Sequence, residues 1–125
     1  MTTAYWTILV AILMPWVLAI IAKIPVAWRG SYDNNNPRIL LASLKGRSQR
    51  ANWAQQNSFE ILPAYAAAVI VAHLAGAQQN FVDSLAVLFI VSRVLYAICY
   101  IQDWATLRSI VWAVGVFCIL GLFVV

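Results

Sequence analysis

The chain has 125 residues, of which 64% are hydrophobic and 10% charged. A soluble domain this short needs a polar surface and has too small an interior for so much apolar side chain, so composition excludes an ordinary water-soluble globule. Eight Lys and Arg against four Asp and Glu give a net charge of +4. The basic residues sit beside apolar runs and form no polar surface of their own, so the excess reads as membrane topology, not nucleic-acid binding.

Residues 4–28 form the first predicted span. Thr2 to Ala22 carries no charge, and about 20 helical residues at a rise of about 1.5 Å cross the hydrocarbon core. The stretch lacks a basic leader, is longer than a signal-peptide core and runs into more apolar sequence, so it is expected to be a retained span. Pro15 and Pro25 are expected to kink it or end its regular part, and Lys23 can snorkel to the headgroups.

Arg29 to Arg50 is polar and rich in turn formers, from Gly30 and Ser31 through Asp33 and three asparagines to Pro37. It holds five of the eight basic residues, Arg29, Arg38, Lys45, Arg47 and Arg50. The basic-residue bias places this connection in the cytoplasm.

The second span, about residues 50–75, opens with polar turns and becomes apolar from Ile61, with many alanines suited to close helix contacts. Alone it could be an amphipathic helix of a soluble protein; beside three other long apolar segments it reads as a span. A short turn without basic residues leads to the third span, residues 81–101, which has Arg93 in its interior. The fourth, residues 106–125, starts with Arg108 and Ser109. Leu and Ala prevail over β-branched alternation, which argues against a barrel. The expected fold is an all-α, multi-pass four-helix bundle forming one domain over 1–125, with both termini on the outer side.

Arg50, Asn57, Glu60 and Ala64 are spaced by seven, three and four residues and share one helical face. Arg93, Tyr96 and Tyr100 do so on the third span, and Arg108 starts the fourth. A charged side chain in hydrocarbon is costly unless paired or hydrated, which makes Glu60 with Arg50 or Arg93 the expected ion pair. Three arginines around one carboxylate leave spare cationic capacity. That suits an anionic ligand carrying one amino group, its carboxylates on arginine and its ammonium on Glu60. A purely structural reading is helix packing through buried polar contacts, with Tyr96 and Tyr100 as packing aromatics. Cys99 and Cys118 lie in apolar runs without a CxxC spacing and read as small buried hydrophobes. His73 has no partner ligands, and no nucleotide or metal motif appears, so neither metal nor nucleic acid is an expected partner.

The segment from Arg47 to Pro63, with Arg50, Asn57 and Glu60, resembles the second-helix signature of the MAPEG family, membrane-associated proteins in eicosanoid and glutathione metabolism. Arg93–Tyr100, Leu107-Arg108-Ser109 and the upstream Asn-Asn-Pro37-Arg38 resemble its other motifs, the last as found in bacterial members. The resemblance covers nearly the whole chain. It implies a homotrimer in the bacterial inner membrane with glutathione as co-substrate, bound between subunits on the cytoplasmic side. Carried over, Arg50, Asn57, Glu60, Arg93, Tyr96, Tyr100 and Ser109 would bind glutathione, and Arg108 would be catalytic, stabilising the thiolate. Gln56 and Trp53 depart from the pattern, because some members have arginine or another polar residue there.

The resulting expectation is a membrane-bound glutathione-transferase-like protein. It would conjugate or reduce lipophilic electrophiles or hydroperoxides that arrive among the membrane lipids. A non-catalytic lipid-binding or structural protein, and a small multidrug transporter relying on Glu60, are the alternatives. Transporters of that size keep their glutamate in the first helix and lack the converging arginines.

Overall fold

Residues 1–125 are described by a computed structural model. It is all-α, with four long helices and one short one: α1 (Thr3–Trp28), α2 (Pro37–Ser43), α3 (Gly46–Leu74), α4 (Gln79–Gln102) and α5 (Ala105–Leu122). All but α2 are long and apolar enough to cross a membrane, and an even number of crossings returns the chain to its starting side. Helix α1 packs chiefly on α3 and α5 on α4, while α3 and α4 cross between the two pairs.

Only 28 of the 125 residues are buried, and large apolar side chains such as Trp16, Ile20, Phe81 and Phe117 stand exposed around the bundle. In water such an exterior would aggregate; against acyl chains it is the expected one. The interior is correspondingly lean. Ala4, Ala11, Ala68, Ala72 and Ala86 are buried in the main core cluster, where small side chains let helix backbones approach. At Gly115 a Cβ atom would meet Ser92 Oγ at 3.1 Å, so α4 and α5 approach so closely there that a larger residue requires Ser92 to give way.

Polar ties hold the end of the bundle away from residues 29–45. The Asp83 carboxylate on α4 accepts from the Ala4 amide, 2.8 Å away, and from Gln79 Nε2, also at 2.8 Å. It therefore takes up one of the free N–H groups at the start of α1. Tyr65 is fully buried. Its hydroxyl is hydrogen-bonded with that of Thr7 on α1 and donates to the Ala86 carbonyl of α4 at 3.4 Å. Its ring stacks on Phe89 with centroids 3.8 Å apart. One side chain thus ties three spans.

Three expectations need correction. Pro15 and Pro25 do not end α1, which runs on to Trp28; each proline forgoes one rung of the helix ladder, but its fixed φ is still helical. Residues 29–50 are not wholly irregular. Pro37 starts a seven-residue helix with its ring at the first position, and Leu44, Leu40 and Leu41 fold onto Ala22, Val26 and Ala51. Helix α3 then begins at Gly46, four residues before the expected start, and α5 ends at Leu122. Cys99 and Cys118 are free and buried, as read from their apolar surroundings.

Candidate functional site

The polar faces of α3 and α4 meet in the half of the bundle nearer residues 29–45. Arg93 is 2% exposed, and its Nη2 donates to Asn57 Oδ1 at 2.7 Å. Asn57 in turn donates through Nδ2 to Glu60 Oε2 at 3.2 Å. The expected Glu60–arginine ion pair is therefore replaced by a chain in which the Asn57 carboxamide stands between guanidinium and carboxylate. A carboxamide can do this because it accepts at one atom and donates at the other. The remaining Arg93 Nη1 is buried without a partner, so the cation is only partly compensated within the chain.

An aromatic row continues the site. The Arg93 guanidinium lies over the Tyr96 ring at 4.2 Å, and that of Arg108 over Tyr100 at 4.5 Å. Tyr96 and Tyr100 meet edge to face with centroids 5.6 Å apart, and Trp53 approaches Tyr100 at 6.3 Å. Each arginine is held on a π face, which fixes its plane while leaving most of its donors free.

Two hollows open beside this row. One, of about 350 Å³, is lined by Trp53, Gln56, Asn57, Glu60, Tyr96 and Tyr100. The other, of about 300 Å³, shares Asn57 and Glu60 but is otherwise apolar, with Ile61, Ala64, Trp112 and Val116 in its wall. A polar compartment and an apolar one thus adjoin at a single carboxylate.

Depth gives that carboxylate its significance. Helix α3 has 29 residues, about 43 Å of helix against a hydrocarbon core of about 30 Å. Its polar first turns can extend beyond the core, and Glu60 stands at its midpoint, 14 residues from either end. Glu60 is nevertheless exposed.

Of the residues expected to form the site, Asn57, Glu60, Tyr96 and Tyr100 line the polar hollow, with Arg93 behind it and Arg108 on its rim through Tyr100. Arg50 and Ser109 do not line it. Arg50 Nε donates to the Ile101 carbonyl at 3.0 Å, and Ser109 Oγ to the Ala105 carbonyl of its own helix at 3.2 Å. Gln56, Trp53 and Trp112 were not among the expected site residues. The first two stand out in the sequence only as departures from the family-like pattern, within about one turn of Asn57, and Trp112 carries no such signal.

Fold and site together define a multi-pass membrane protein with a polar recess let into one side of its helix bundle. The MAPEG family profile matches residues 3–125, and the chain belongs to that family. No curated protein and no solved structure matches it.

Proposed function

We propose that the protein is a glutathione-dependent transferase of the membrane, acting on lipophilic electrophiles or hydroperoxides. The observation that carries this reading is the adjoining pair of hollows. The polar one offers groups suited to a small zwitterionic peptide, and the apolar one suits a substrate entering from lipid.

The residues fit the tripeptide chemically. Glu60 is exposed and accepts a single hydrogen bond from Asn57, so its carboxylate is open to an ammonium group. Arg108 has no carboxylate partner and is oriented by Tyr100, so it can stabilise a thiolate. Arg93 acts through Asn57 and positions the recess. In conjugation the thiolate sulfur forms a bond to the electrophilic carbon, and the displaced group leaves with the electron pair. In peroxide reduction two glutathiones are oxidised to the disulfide, while the hydroperoxide becomes an alcohol and water.

An exposed carboxylate midway along a membrane-spanning helix is costly unless it is covered or hydrated. That supports an assembly in which a second subunit covers this face, consistent with the trimer and the inter-subunit glutathione site that the family resemblance implies. Calorimetry on the protein in nanodiscs tests the reading directly. Saturable glutathione binding at or below millimolar concentration is expected, and its absence would remove the proposal. Binding without turnover across a broad electrophile panel would instead assign the protein to the non-catalytic alternative.

A further inference from the structure

A third concavity lies between α1 and α4 and contains no residue of α3 or α5. It has a volume of about 320 Å³ and is lined by ten residues, all hydrophobic. On α1 it runs from Val10 and Leu13 through Val17 to Ile21; on α4 it ends at Ile98 and Ile101. From Val10 to Ile21 is about 17 Å of helix, close to the ~15 Å that one leaflet contributes to the hydrocarbon core. A groove of that length can take up much of one acyl chain.

What stands at its end selects the headgroup. Ile101 lines the groove, and its carbonyl accepts from Arg50 Nε at 3.0 Å. One residue on, Gln102 Oε1 accepts from Arg47 Nη2 at 3.2 Å. Both arginines therefore gather at the last turn of α4, and neither has a carboxylate partner there. Each spends one of five donors on a neutral oxygen, leaving a fork free for a phosphate. Bilayer lipids bearing anionic headgroups are attracted to such juxtamembrane cations.

We propose that this groove is a binding site for an anionic phospholipid of the leaflet that meets residues 29–45. One acyl chain lies between α1 and α4, and the phosphate rests on Arg47 and Arg50. The site is separate from the glutathione recess and stands whether or not that recess binds glutathione.

Native mass spectrometry of the purified protein can test it, with phosphatidylglycerol and phosphatidylcholine of identical acyl chains as probes. Phosphatidylglycerol should be retained preferentially, and Arg47→Gln should lower its retention about fivefold and that of phosphatidylcholine, whose choline cation offsets its phosphate, by less. Ile98→Trp, which fills the groove, should lower retention of both; circular dichroism confirms that each variant is helical. Equal retention of the two lipids by the unmodified protein would overturn the proposal. So would retention of phosphatidylglycerol unaffected by both substitutions. Displacement of phosphatidylglycerol by palmitate as readily as by excess phosphatidylglycerol would make the occupant a free fatty acid and also defeat it.

Discussion

Arg93 and Asn57, 36 residues apart in the chain, are joined across the α3–α4 crossing by a 2.7 Å hydrogen bond from a buried guanidinium. Through it the Asn57 carboxamide is turned so that its Nδ2 faces Glu60. Asn57→Ala should destabilise the protein by about 2 kcal/mol, the scale of a hydrogen bond to a charged group. It should also weaken glutathione binding, because Glu60 loses its orienting neighbour. Thermal unfolding in detergent and calorimetry measure the two effects, and unchanged affinity would deny Asn57 the positioning role.

Arg108 and Glu60 should separate kinetically. Arg108→Ala should lower kcat with little change in glutathione affinity, by about 10²-fold if it stabilises the thiolate as an oxyanion-hole donor stabilises its anion. Glu60→Gln keeps size but removes the charge that takes an ammonium, and should raise the glutathione Kd more than it lowers kcat. Steady-state kinetics beside binding measurements decide the matter; the reverse pattern would refute both assignments.

Tyr65 should be a stability determinant without a part in binding. Tyr65→Phe keeps the stack on Phe89 but removes the bonds to Thr7 and the Ala86 carbonyl, and should cost about 1 kcal/mol. Tyr65→Ala also opens a cavity among three helices and should cost about 3–5 kcal/mol. Detergent-based unfolding would show the order, and glutathione affinity should not change in Tyr65→Phe.

Gly115→Val should loosen α4 from α5. Its Cβ would lie 3.1 Å from Ser92 Oγ, which donates to the Phe89 carbonyl at 2.6 Å and is therefore not free to swing aside. Overpacking of this kind costs about 1–3 kcal/mol, read as a lowered Tm. A Tm equal to that of the unmodified protein would show that the two helices separate easily.

Asp33 should titrate below the ordinary carboxylate value. Hydrogen bonds from the Asn35 backbone amide and the Asn36 side chain hold its carboxyl below 3.8. A depressed folded-state pKa makes this turn's contribution fully present above 3.8 and lost as pH falls through the lowered value. A carbon-13 titration of Asp33 should give a midpoint below 3.8; a midpoint at or above that value would show that the turn does not form.

The contrast between Tyr65 and Glu60 shows how far the chain could be read before folding. In the sequence Tyr65 is no more than a polar interruption in an apolar run, since its partners Thr7 and Ala86 are 58 and 21 residues away. Glu60 was visible as a membrane carboxylate needing a partner, but charge alone pointed to arginine and overlooked the amide three residues earlier. Helix α2 escaped because seven residues, their leucines set in a polar stretch, give too short a period to read.

Residue order by itself determined the four spans and the helix faces that carry Asn57, Glu60, Tyr96 and Tyr100. Long apolar runs and 3.6-residue periodicity are local properties, expressed wherever a helix forms in lipid. Tertiary structure alone decided that Asn57 stands between Arg93 and Glu60, that Arg50 turns to the end of α4 and that Asp83 caps α1. These are choices among several chemically acceptable partners. They depend on the rotation and depth at which one helix packs on another, which the small residues between them set at contact distance.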